Sequence, residues 1–224
     1  MSELGAVEGR YTTLAGEHRT ELEIKRSRFI TVLRRTETEE EARALVAQLR
    51  REFHDARHHC SAFVLGPGRE VQRSSDDGEP SGTAGLPMLE ALTKRETFDG
   101  AADLSDITVV TVRYFGGILL GAGGLVRAYS ESVSSALSTA PLLQRARMQL
   151  YAVPASHAGA GRLENDLRNA GYTVRGTEYG AGGAVITVAL PDTAGSGSAF
   201  QDRLAALSAG DVEAEPLATE WIDL

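Results

Sequence analysis

Along this chain the spacing of apolar positions switches between a period of two and a period near 3.6, and the switches lay out its elements. Arg19–Lys25 and Arg28–Arg35 read as paired strands. Ala42, Leu45, Val46, Leu49 and Phe53 then recur at helical spacing. Thr36-Glu37-Thr38-Glu39, or Thr38 with Glu41, offers a capping box for that helix. Strands follow near 59–66, where Cys60, Ala62 and Val64 alternate, and near 69–74. Pro87 fits the first turn of a helix over 87–95 that carries Leu86, Met88, Leu89 and Leu92. Asp106–Phe115, rich in Val, Ile and Thr, reads as a buried strand. Val126, Tyr129, Val133 and Leu137 form the next helical stripe and place Arg127, Ser130 and Ser134 on the opposite face.

Around Pro141 a second pattern begins. Gln149–Pro154 reads as a strand, Leu163, Leu167 and Ala170 as a helix closed by Gly171, and 172–179 and 184–190 as two further strands. Ser198-x-x-Gln201 caps a helix carrying Phe200, Leu204 and Leu207, and Glu213–Leu224 supplies a last strand. This βαββαβ order predicts a split, ferredoxin-like unit. Pro191–Ser198, a Gly/Ser loop, is its weakest stretch. The chain therefore divides into a loose segment 1–18, an α/β domain 19–144 and a ferredoxin-like domain 147–224. No aromatic pair marks an RNA-recognition sheet in the last of these.

Charge narrows the function classes. The net charge is −8. Residues 1–146 hold 18 Lys and Arg against 21 Asp and Glu, residues 147–224 hold 5 against 10, and neither part has a general nucleic-acid footprint. Any RNA or ribosome contact needs a local arginine patch. No apolar run approaches the roughly 18 residues of a membrane span. The opening Met-Ser-Glu-Leu-Gly lacks the marks of a secretory signal. A single cysteine excludes an internal disulfide framework and fits a reducing cytoplasm.

The candidate chemistry lies in three clusters. Gly116, Gly117, Gly121, Gly123 and Gly124 stand between Arg113-Tyr114-Phe115 and Leu125-Val126-Arg127. A glycine loop entering a helix aims free N–H groups and a positive dipole at one spot, and guanidiniums grip phosphate or carboxylate. A tight strand-to-helix connection without a ligand explains the spacing equally well. Neither the P-loop nor the dinucleotide fingerprint is complete, which argues against ATP or NAD as cofactor. In Ser74–Gly85, Asp76, Asp77 and Glu79 offer oxygens for a divalent cation, salt-bridge partners for the arginines, or plain turn carboxylates. His54-Asp55-Ala56-Arg57-His58-His59-Cys60 has histidines at i, i+4, but it straddles a helix end and a strand start. Zinc is therefore not expected, and no metal or cofactor is assigned.

Taken in order, these motifs resemble the YigZ/IMPACT family: Lys25-x-Ser27-Arg28-Phe29-Ile30, Ala56-x-His58-His59-Cys60, Ser75–Gly85 with Pro87-Met88-Leu89, Arg113–Gly117, and Leu120-Gly121-x-Gly123-Gly124 through Tyr129. The resemblance covers roughly residues 20–140. It implies a two-layer α/β fold like that of a ribosomal small-subunit protein and of domain four of elongation factor G. The remainder resembles the smaller C-terminal domain of bacterial members. Eukaryotic relatives are implicated in restraining the amino-acid-starvation kinase pathway by competing for its activator protein.

Three functions fit. One is a non-catalytic regulator linked to translation or stress, contacting ribosome, RNA or a protein partner through Arg113, Tyr114, the five glycines and Arg127. Another is an enzyme acting on a small anionic or phosphorylated compound, with His58, Asp76, Asp77, Glu79, Ser81 and Thr83 lining the same pocket. The third is a plain protein-interaction module whose motif residues serve packing and turns. Asp76, Asp77 and Glu79 are expected to partner Arg113 and Arg127 in one shared site, and failure of that site favours the third reading.

Overall fold

The computed structural model describes residues 9–224, and the chain divides into two units between Gln144 and Arg145. The first contains β1 (Arg10–Leu14), β2 (His18–Ile24), β3 (Ser27–Arg35), α1 (Glu39–Glu52), β4 (His58–Leu65), β5 (Val71–Ser75), α2 (Gly85–Thr93), β6 (Ile107–Tyr114) and α3 (Ala122–Thr139). Its main sheet runs β2-β3-β6-β4-β5 with every neighbouring pair antiparallel. Strands β3 and β6 are buried at successive positions, so both faces need a cover. Ile30, Val32, Val110 and Val112 pack with Leu45 and Leu49 of α1. Phe29, Leu33, Cys60, Ala62 and Val109 pack with Met88 and Leu92 of α2 and with Tyr129 and Val133 of α3. Helices on both faces add a layer to the two-layer arrangement that the family resemblance implies.

Helix ends follow local chemistry. Thr38 caps α1 by accepting from Glu41 N, while the Glu41 carboxylate reaches back to Glu37 N at 2.7 Å. The acids Glu39–Glu41 in its first turn and Arg50 and Arg51 in its last favour the helix dipole. On α3 the buried stripe starts at Leu125, not at Val126, which is 37% exposed.

The segment read as loose, 1–18, differs in its described part. Tyr11, Thr12, Thr13 and Leu14 are buried in β1. The Tyr11 hydroxyl donates to the Asp106 carboxylate, Ser105 N donates to Thr12 O, and Ala15 N donates to Pro141 O. Partners more than ninety residues away hold Tyr11 and Ala15, and no local pattern announces them.

The second unit contains β7 (Leu142–Ala155, begun just before the boundary), α4 (Ala160–Asn169), β8 (Thr173–Gly180), β9 (Gly183–Pro191), α5 (Ser196–Ser208) and β10 (Glu215–Asp223). The strand order β8-β9-β7-β10, antiparallel throughout, is the ferredoxin-like arrangement. Val153, Leu167, Ile186, Val188, Phe200 and Leu204 form its core. Ser198 is not the α5 cap. Gly195 precedes the helix in a left-handed conformation, and Ser198 donates back to Gly195 O. Gln201 instead braces Ala214 through both backbone groups. The Gly/Ser loop is held by Asp192 N to Arg147 O and Ser196 N to Thr193 O.

The β2–β3 turn fixes the start of the glycine loop. Lys25 and Arg26 both take positive φ, 47° and 61°, as a tight hairpin of this twist demands. A Cβ at Gly116 would lie 1.9 Å from Arg26 O and 2.5 Å from Ser27 N. Gly116→Ala should therefore cost about 2–3 kcal/mol in urea unfolding. A loss under about 0.5 kcal/mol would show that the turn yields freely.

Candidate functional site

Alternation along β6 puts Arg113 on the same face as Ile107 and Val109, the face covered by α2 and α3. Its guanidinium is accordingly buried, with the residue only 6% exposed. Nη1 donates to Glu79 Oε1 at 2.7 Å and Nη2 to Ser27 Oγ at 3.3 Å. The Phe29 and Phe115 ring centroids lie 5.5 and 5.7 Å from its central carbon. Glu79, also buried, accepts a second hydrogen bond from Tyr129 Oη at 2.8 Å. The Cys60 sulfur lies 3.3 Å from that hydroxyl and 3.0 Å from Asp76 O. Gly116 N donates to Ser27 Oγ at 3.3 Å. One buried polar chain thus runs from Cys60 through Tyr129, Glu79, Arg113 and Ser27 to the first glycine of the loop.

Within this polar network the Cys60 and Tyr129 protons are tightly held. Burial pushes the Cys60 thiol up to about 12, against the opposing hydrogen bond to Tyr129. Burial also raises the Tyr129 hydroxyl, and neighbouring Cys60 and Glu79 raise it further. Near neutral pH neither group supplies a thiolate or a phenolate.

The acidic loop spends its carboxylates differently from the expectation. Asp76 accepts from Gly82 N at 2.8 Å, Ala84 N at 3.0 Å and Gly85 N at 2.8 Å, and so caps α2. Burial acts to raise its carboxyl, but these three donors outweigh it and hold Asp76 below the ordinary range. Asp77 pairs with Arg50 and accepts from His59 N at 2.6 Å, while its carbonyl lies 3.0 Å from His58 Nδ1. Thr83 Oγ1 donates to Pro80 O at 2.6 Å, closing the turn, and Ser81 is exposed. Only Glu79 meets Arg113. Arg127 is exposed and, among the described residues, forms no ion pair. The joint anion clamp of Arg113 and Arg127 therefore does not form. Arg113 shares the apolar parity of its strand, whereas Arg127 lies off the buried stripe of α3. Among the described residues no group of three or more His, Cys, Asp or Glu is placed to hold a metal ion.

The glycine loop itself faces outward. Gly117 and Gly121 take φ of 83° and 73°, open to glycine at no steric cost. Gly121 caps α3 without a side-chain hydrogen bond, and Gly121, Ala122 and Gly123 are exposed, which leaves first-turn N–H groups for an external acceptor. Between the glycines, Leu119 is 83% exposed, and Phe115, Ile118 and Val126 are also exposed. The Lys25-Arg26 turn lies against Gly116. Tyr114 donates to Asp55 at 2.7 Å, and Arg28 sits over its ring at 5.5 Å.

Sequence reasoning missed Ser27, Cys60 and Tyr129 as members of the buried network, and missed the apolar loop tip as a surface. A tyrosine in a core stripe needs a partner for its hydroxyl, which was the available signal. For Ile118 and Leu119 the signal was an apolar triplet, Ile118-Leu119-Leu120, isolated between glycines.

Known proteins resemble most of the chain. The Impact N-terminal domain matches residues 25–137, and the domain of unknown function DUF1949 matches residues 155–211. The IMPACT family member YigZ of Escherichia coli is 39% identical over 193 residues, 85% of this chain and 90% of that protein. The IMPACT family member YvyE of Bacillus subtilis is 44% identical over 165 residues, 74% of this chain and 72% of that protein. A crystal structure described only as that of a hypothetical protein superposes with a TM-score of 0.60 at 36% identity, covering 95% of this chain and 99% of its own.

Two measurements test the network. Glu79→Gln leaves the Arg113 guanidinium buried without its counter-charge and should cost about 3–5 kcal/mol in urea unfolding. Replacing both partners, as Glu79→Leu with Arg113→Met, should cost much less than the two single changes together. A Glu79→Gln loss under about 1 kcal/mol would remove the pair from its structural role. The second test concerns acid. Because the native Asp76 carboxyl titrates below its ordinary value of 3.8, its contribution is complete above that value and is lost as pH falls towards the native one. Thermal midpoints measured from pH 7 down to about 3 should fall less steeply for Asp76→Asn than for the parent, from a lower start at pH 7. Parallel curves would refute the assignment.

Proposed function

We propose, from the premise that this chain belongs to the IMPACT family, that it is a non-catalytic regulator which docks its glycine-loop face onto a component of the translation machinery. The observation that carries this reading is the division of chemistry at the loop. Polar groups suited to reaction turn inward to one another, while Phe115, Ile118 and Leu119 turn outward on the loop whose Gly116 meets the Arg26 backbone, with Lys25 and Arg26 exposed in that turn. Exposed apolar side chains rimmed by cations suit a partner that offers both apolar surface and negative charge. Family membership supports a regulatory role, and the raised Cys60 and Tyr129 protons weigh against the enzyme alternative. A reducing, cytoplasmic compartment fits the single buried cysteine.

The open first turn of α3 favours one further use of the same face, the holding of a phosphate carried by that partner. Ribosomal particles sedimented with the full chain over a range of salt concentrations test the proposal. The parent should co-sediment, and Leu119→Ser and Arg127→Glu should each weaken binding by roughly tenfold, the arginine change also flattening the salt dependence. Parent-like binding by both variants, or no binding by the parent, would overturn it. If instead inorganic phosphate raises the thermal midpoint in a way that depends on Arg127 but not on Leu119, the small-anion alternative is favoured.

A further inference from the structure

Helix α1 leaves a groove along the outer part of the sheet it covers. Its buried stripe of Leu45 and Leu49 sits on Ile30, Val32, Val110 and Val112, the central strands. Towards β4 and β5 it presents the smaller Ala42, Val46 and Ala47, opposite Phe63. The gap between them has a volume of about 400 Å³, within the range of ligand pockets. Strand β5 borders it.

β5 is an edge strand. It pairs with β4, and among the described residues no strand pairs with its other side. Residues Gln72 to Ser75 are exposed. Register places Arg73 opposite Phe63 and Ser75 opposite Ser61, and all four line the groove together with Ser74, while Gln72 does not; strand alternation keeps Arg73 and Ser75 on one face. A strand added to this edge would send alternate side chains into the groove.

Charge selects which strand. Arg43, Arg50 and Arg73 stand around the groove with Glu39 as the lining carboxylate. Arg43 is held by Glu39 and Arg50 by Asp77. Arg73 is exposed, donates only to Gln72 O among the described residues, and forms no ion pair there. In a chain of net charge −8 this is a local cationic margin. A charged residue on an edge strand discourages indiscriminate pairing, since a neutral or basic strand leaves the guanidinium uncompensated. A strand with acidic residues compensates it.

We infer that the groove between α1 and β5 is a docking site for an extended, acidic peptide segment of another protein, bound as an additional strand. Main-chain hydrogen bonds to β5 would supply affinity, apolar side chains entering between Ala47 and Phe63 would supply specificity, and carboxylates would meet Arg73 and Arg43. The apolar floor and the open backbone edge favour a peptide over RNA. The site shares no residue with the glycine-loop face, so either can fail without the other.

Selection of a random decapeptide display library on the immobilised full chain tests this. The expected outcome is enrichment of peptides with apolar residues at alternate positions and Asp or Glu beside them. Titration of a recovered peptide into ¹⁵N-labelled chain should shift amide signals of β5 and of residues 42–50. Arg73→Glu, which keeps a polar edge residue and should leave the thermal midpoint unchanged, is expected to weaken that peptide at least tenfold. Ala47→Trp, filling the groove, should abolish binding even if Arg73→Glu proves unstable. Failure to enrich any peptide, enrichment of basic peptides, shifts confined to other strands, or affinity unchanged in both variants would each overturn the inference. So would a short RNA that displaces the recovered peptide.

Discussion

The buried ion pair between Glu79 and Arg113 is the interaction on which the glycine-loop end of the first unit depends. It joins the end of β6 to an irregular acidic loop, and through Tyr129 and Ser27 it reaches α3 and the β2–β3 turn. Each of those segments could pack in other ways if only apolar contacts held them. A charge that must be met at one place removes the alternatives, because a misplaced loop strands a guanidinium or a carboxylate in the core. Such a pair adds little net stability over an apolar replacement. Its value here is positional.

That position decides what the glycine loop presents. Phe115 lies over the Arg113 guanidinium, so the chain leaves the core at a fixed direction as the loop begins. Gly116 must then pass within reach of the Arg26 and Ser27 backbone, where no side chain fits. Ile118 and Leu119 follow with nowhere to turn but outward. The glycines therefore do two kinds of work: one allows a close crossing, and Gly117 and Gly121 allow positive φ. The loop is shaped from beneath.

Local rules reached far into this structure. Period, helped at α1 by capping, located five helices and, β1 excepted, the strands of both sheets, because those signals act within a few residues. They failed wherever the partner lies beyond that reach. Asp76 looked like a possible cation ligand or an arginine partner, yet its oxygens are taken by N–H groups six to nine residues later. Asp77 chose Arg50, 27 positions away, over either arginine of the glycine motif. β1 was invisible for the same reason, since Tyr11 and Thr13 are held by Asp106. The parity of β6 did carry the answer for Arg113, which shares a face with Ile107 and Val109. Treating an arginine as surface by default concealed it.

Arg113 consequently differs in use from Arg127 and Arg73. Arg113 is fixed by a carboxylate, a hydroxyl and two rings, so an incoming anion could claim it only by displacing Glu79 from the core. Arg127 and Arg73 lie at the surface, and nothing among the described residues neutralises them. A net charge of −8 repels polyanions at a distance, so neither surface cation can act as a general collector of nucleic acid. Beyond about a Debye length the acidic field dominates, and within it the local cation does. On the proposed reading, association would have to begin with a partner whose negative charge is compact enough to meet one patch, and whose apolar surface covers the side chains beside it. For such a partner the acidity of the chain would act as a filter, and the exposed hydrophobes would supply the affinity that the filtered electrostatics cannot.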